Sequence, residues 1–97
     1  MNKIPIEKLQ DAQTFLTSGE EKRAYALTHE VTISNPTFAM AWTIQATALL
    51  QLKRSSEAVE GFKKAISLTL KPQASDWHNL ARAYEDNLRL DKAEEAY

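Results

Sequence analysis

Cysteine is absent from this 97-residue chain, so disulfides and thiolate metal sites are excluded and the redox compartment leaves no mark. Glycine occurs only twice and proline three times, too few punctuating residues for a turn-rich β fold. Because Gly19 and Gly61 stand alone, a glycine-rich phosphate loop is excluded as well. No run approaches the roughly 18 apolar residues of a membrane span, and Met1-Asn2-Lys3-Ile4-Pro5 has no apolar signal core. A soluble, cytoplasmic protein without membrane insertion is therefore expected. Charge of one sign is missing too. Twelve Lys and Arg against thirteen Asp and Glu leave a net charge of −1, which builds no field for nucleic acid or anionic lipid.

What remains is a helix-forming composition, rich in alanine and leucine, in a chain long enough for one domain over residues 1–97. Its main signal is internal repetition. Trp42 and Trp77, the two tryptophans, lie 35 residues apart, and the same offset carries Ala46 onto Ala81, Leu49 onto Tyr84, Ala58 onto Ala93 and Phe62 onto Tyr97. An offset of 34 toward the N-terminus carries Ala46 onto Ala12, Leu49 onto Phe15, Ala58 onto Ala24 and Ala65 onto Val31. This first unit is weaker, with Lys8 at the tryptophan position and Thr28 at that of Phe62. Three units follow, at about 5–38, 39–73 and 74–97, the last incomplete.

Within the units the period is helical. Trp77, Leu80, Ala81, Tyr84 and Leu88 form one stripe at i, i+3, i+4, i+7 and i+11, and Ala39, Trp42, Ala46 and Leu49 form another. Ala58, Phe62, Ala65 and Ile66 line a partner helix. Gly19 suits the left-handed turn that ends a helix. Ser56 and Asp91 suit N-caps, while Asn35-Pro36 and Lys71-Pro72 separate units. The spacing predicts an all-α chain with helices near 5–18, 21–34, 38–52, 56–70, 74–88 and 91–97. The aromatics Phe15, Trp42, Phe62, Trp77 and Tyr84 are expected in the core, because they keep the repeat register. Gly61, inside a helix, costs about 1 kcal/mol against alanine, so a close helix contact is expected there.

Trp77-His78-Asn79-Leu80-Ala81-Arg82-Ala83-Tyr84, followed by Asp91-Lys92-Ala93 and Tyr97, resembles the tetratricopeptide repeat. The second unit resembles it through Trp42, Ala46, Leu49, Ala58, Phe62 and Ala65, with Pro72 two residues late. Gln45 departs from the pattern, standing where leucine is usual and where Leu80 stands in the third unit. The first unit keeps Ala12, Phe15, Gly19, Ala24 and Pro36. The resemblance implies a right-handed superhelical stack of helix-turn-helix hairpins. In such a stack the first helix of each unit lines a concave groove that holds a segment of another protein. Fold alone does not fix function.

Beside the core stripes, the groove-side residues are then Leu9, Gln13, Met40, Thr43, Thr47, Ser75, His78, Asn79 and Arg82. His78 and Arg82, at i and i+4, could grip a carboxylate or carbonyl together, or be two solvated side chains. The family's clamp for acidic chaperone tails needs cations on three groove helices. Leu9, Gln13, Ile44, Ser75 and Asn79 occupy the matching places, and none is a cation. That ligand is excluded. His29 and His78 fall on helices of different type with no HExxH or carboxylate triad beside them, so neither a metal, a cofactor nor catalysis is expected.

Three functions compete. The first is a peptide- or protein-binding adaptor or scaffold. The second is an assembly element that dimerises or exchanges helices through the incomplete third unit, where Tyr84, Leu88, Ala93 and Tyr97 lack a cover. The third is a substrate-recruiting part of a larger enzyme.

Overall fold

The computed structural model describes residues 5–95. They form five α-helices and, among them, no strand: α1 (Pro5–Thr17), α2 (Glu21–Ser34), α3 (Ala39–Gln51), α4 (Ser55–Ser67) and α5 (Ala74–Glu95). Each helix packs on the next, and α1 also touches α3. The result is a stack of helical hairpins, as expected of a tetratricopeptide-like array.

α3 organises it. The helix carries no charged residue, and Ala41, Ile44, Gln45, Ala46, Ala48, Leu49 and Leu50 are buried around its circumference. Ala41, Ile44 and Ala48 join Leu9, Ala12, Ala24 and Val31 in a core shared with α1 and α2. Ala46, Leu49 and Leu50 join Ala58, Val59, Phe62 and Ala83 in a second core shared with α4 and α5. Small residues let the helices approach closely. At Gly61 a Cβ would stand 2.9 Å from Ala46 Cβ, so the mid-helix glycine marks the close contact expected of it. Thr28, where Phe62 stands in the next unit, is fully buried and returns its hydroxyl to Ala24 O at 2.8 Å and Tyr25 O at 3.0 Å.

The first two hairpins turn alike. Gly19 (φ 79) donates to Leu16 O, and Glu20 to Phe15 O; 34 residues on, Lys53 (φ 64) donates to Leu50 O, and Arg54 to Leu49 O. Both are Schellman turns, in which one left-handed residue closes the helix. Glu20 and Arg54 then occupy the N-cap positions of α2 and α4 without a side-chain cap bond. The expected cap at Ser56 is thus corrected. α4 begins one residue earlier, and Ser55 is buried with its hydroxyl unpartnered. α5 starts as expected, with the Gln73 N–H donating to Asp76 Oδ2 at 2.8 Å, half of a capping box.

The expected break between helices near 88–91 is absent, and α5 runs on to Glu95. By the 35-residue offset Leu88 takes the place of Lys53. A leucine gains nothing from a left-handed backbone, which costs about 1–2 kcal/mol, and continued helix avoids that cost. Position 91 lies inside α5 rather than at a cap. Among the described side chains of α5 only Ala83 is fully buried, with Leu80 packed beside it. The stripe expected in the core therefore lies bare, with Trp77, Tyr84 and Leu88 each about half exposed. Phe62 is core as expected, whereas Phe15 and Trp42 are half-buried.

Two measurements test this account. Gly61→Ala is expected to lower the unfolding free energy by about 1–3 kcal/mol despite its better helix propensity, because Ala46 cannot retreat. Lys53→Gly is expected to raise it by about 0.5–1 kcal/mol, the relief of left-handed strain less the entropy glycine adds to the unfolded chain. Urea melts read both, and a stabilising Gly61→Ala would contradict the close packing.

Candidate functional site

Two depressions open on opposite faces of α3. The residues Thr47, Leu50 and Gln51 point to one side of a helical wheel, and Trp42, Gln45 and Leu49 to the other.

The smaller depression, about 190 Å³, lies between α3 and α5, with Lys53 and Phe62 contributing from the intervening turn and α4. From α5 come Asn79, Arg82 and Asp86. Of the expected groove residues it therefore gathers Thr47, Asn79 and Arg82. The Thr47 hydroxyl is already given to Thr43 O at 2.9 Å. That leaves the Asn79 amide, the Arg82 guanidinium and the Asp86 carboxylate as its polar equipment. Gln13, Met40, Ser75 and His78 are exposed and Thr43 half-buried, all outside this depression. Leu9 requires a correction. It is 2% exposed, inside the core that α1 shares with α3, so it lines no groove. Ile44 is core too, which removes two of the five clamp positions from any ligand.

The larger depression is an open cleft of about 680 Å³ between α2 and α4, floored by α3. It was not among the sites expected from sequence. α2 contributes Tyr25, His29, Thr32 and Ile33, one face at i, i+4, i+7 and i+8. α4 contributes Ser56, Glu57, Glu60, Gly61 and Lys64. On its floor Gln45, only 5% exposed, holds its amide nitrogen 3.5 Å from both His29 Nδ1 and Thr32 Oγ1. Bonds that long are weak, so a buried amide is held by little. Trp42 fixes its indole by donating to Pro36 O at 2.9 Å. Tyr25 stacks on His29 at 5.6 Å between centroids, and the Arg54 guanidinium lies 5.0 Å over the Tyr25 ring.

Arg54 is itself held in a two-pronged bond to Glu57, at 2.8 and 2.7 Å. That bond holds the Glu57 carboxyl below its ordinary range and raises Arg54 in turn. A lowered carboxylate stabilises the native state fully above its unfolded pKa, and the contribution is lost as pH falls through the folded value. Both groups are exposed, so the effect on stability is small. Its consequence is geometric: the rim of the cleft is pinned.

Such a stack of hairpins defines a helical-repeat protein. Residues 39–72, spanning α3, α4 and the loop to α5, match the model of the tetratricopeptide repeat, and the chain carries that repeat. No curated protein matches the chain. A tetratricopeptide domain is a protein–protein interaction module, and no helix among the described residues is long and apolar enough to cross a membrane. Among the described residues no three His, Asp or Glu side chains gather as a metal site would require.

The one signal in the sequence for the cleft was Gln45 in a leucine's place. Gln45→Leu is expected to raise the melting temperature by about 4–8 °C, as for roughly 1 kcal/mol in a domain of this size. It removes a buried amide with weak partners and leaves Thr32 its bond to His29 O. A lower melting temperature would show the long contacts to be worth more than the burial.

Proposed function

We propose that this chain is an adaptor or scaffold module that binds a peptide or protein segment along the faces of α1, α3 and α5. The convergence of Thr47, Asn79 and Arg82 on one depression between successive first helices supports this reading. There the Asn79 amide and the Arg82 guanidinium present donors to a carboxylate or to backbone carbonyls, while Asp86 accepts from backbone N–H groups. Met40 and Thr43 continue this face along α3 as an exposed methionine and a short hydroxyl, surfaces that adapt to a partner. The depression is small, about 190 Å³, which suits a segment laid across it rather than a small molecule enclosed by it.

A second reading is favoured by Gln45. A polar side chain in a core position, under a 680 Å³ cleft with aromatic walls, is what a binding pocket on the α2–α4 side would need for orientation. The two are separable by capture on the immobilised chain, with crosslinking to identify what is bound. The double variant Asn79→Ala and Arg82→Ala is expected to weaken capture about ten-fold or more, with helicity unchanged because neither residue is core. Gln45→Leu is expected to leave capture intact. The reverse pattern would move the site to the cleft. Full capture by both variants would reject both faces.

A further inference from the structure

The bare stripe on α5 has a covered counterpart in the same molecule. On α3 the equivalent residues are Trp42, Ala46 and Leu49, over which α4 lies; Ala46 and Leu49 are buried there and Trp42 is half-buried. On α5 the same places hold Trp77, Ala81 and Tyr84, continued by Leu88, with exposures of 54% at Trp77, 50% at Tyr84 and 55% at Leu88. The third hairpin does not form among the described residues, since α5 passes straight through the place where α3 turns back. A helix-receiving surface thus lies open along about 17 Å of α5, at 1.5 Å per residue. It sits well round the helix from Ala83, the side that α4 covers.

We infer that this stripe receives the same stripe of a second copy, two α5 helices pairing antiparallel about a two-fold axis between residues 82 and 83. The spacing of the stripe is the reason. Trp77, Ala81, Tyr84 and Leu88 are separated by four, three and four residues, an order that reads the same in both directions. Antiparallel pairing on that axis sets Trp77 against Leu88 of the second copy and Ala81 against Tyr84 of the second copy, twice over. Each bulky ring meets a smaller side chain, and the alanines give the rings room.

The flank agrees in chemistry. His78 follows Trp77 and Glu85 follows Tyr84 on the same edge, so the dyad brings each imidazole beside the Glu85 carboxylate of the second copy, a hydrogen-bonding pair and not a like-charge clash. Glu85 is already oriented by Arg89 at 3.2 Å. A contact between identical patches closes on itself, so assembly stops at two. Of the four self-association residues expected from sequence, Tyr84 and Leu88 belong to this surface. Ala93 lies in α5 with its side chain outside the described set, and Tyr97 lies outside the described residues.

The α3–α5 depression uses another face of α5, so this pairing stands or falls independently of the groove. Sedimentation equilibrium of the full 97-residue chain is expected to show one and two chain masses in concentration-dependent balance. Tyr84→Glu with Leu88→Glu is expected to weaken the dimer more than ten-fold while the helical circular dichroism is kept. Because the chain has no cysteine, a second measurement needs no intact variant core. A mixture of Ala81→Cys and Tyr84→Cys chains is expected to form a mixed disulfide dimer on mild oxidation, and a mixture of Ile33→Cys and Tyr84→Cys chains is not. A monomer at every concentration, a larger assembly than two, a dimer indifferent to the glutamates, or equal crosslinking through Ile33 would each overturn the pairing.

Discussion

α3 is a helix that must be covered over most of its circumference. It has no charge, and buried residues occupy every side of it but the strip of Met40, Thr43, Thr47 and Gln51, so at roughly 25 cal/mol per Å² it gains where another helix covers it. α1 and α2 cover one half and α4 and α5 the other, each through its own cluster. The rest of the architecture follows from that demand. α2 and α4 cannot close over the same strip of α3, and where they part the cleft opens on Trp42, Gln45 and Leu49. α1, α3 and α5 are left to form the other surface. Both depressions are consequences of covering one apolar helix with four amphipathic ones.

The closeness of that cover is set by very small features. Gly61 brings α4 against Ala46, and no side chain could replace it without displacing a backbone-fixed methyl. Two residues in left-handed conformation, Gly19 and Lys53, decide where α2 and α4 turn back. Where leucine takes that place at 88, the chain does not turn, although the tryptophan, alanine and large apolar positions before it repeat. A repeat can thus conserve its packing residues and lose its hairpin through one position in the turn. The turn is a local decision about backbone conformation, and the packing is a collective one about neighbours.

This difference marks how far the fold and its surfaces were legible in the sequence. The offsets of 34 and 35 residues located the starts of α1 to α5 within one residue and the ends of α1 to α4 within three, because helical period and repeat register say the same thing twice. The sixth helix was misread because Asp91-Lys92-Ala93 looks like a helix start, and nothing in the pattern weighs that against the missing turn residue. Trp77 and Tyr84 were expected in the core for a related reason. Their spacing says that one face is apolar but not whether a helix lies on it. Leu9 was assigned to the groove by its place in the repeat, yet it is buried in the core that α1 shares with α2 and α3. The α2–α4 cleft was missed altogether. Its walls come from α2 residues such as His29 and Thr32 that look unremarkable in sequence, and only Gln45, in a leucine's place, broke the pattern there.

Trp42 and Trp77 bring these points together. Both open the same repeat motif, each followed four residues later by alanine and seven later by a large apolar residue. One is half-buried, its indole bonded to Pro36 and its ring lining a cleft; the other is more than half exposed on a helix over which no described residue folds back. Their intrinsic chemistry is identical, so the difference in role comes wholly from the neighbour. In a quasi-one-dimensional stack every unit borrows part of its core from the next. A tryptophan that structures the chain in one unit is, one unit later, available to bind. The stripe on α5 thus has the spacing of packing residues and the exposure of a surface, and both follow from one repeat read with and without its neighbour.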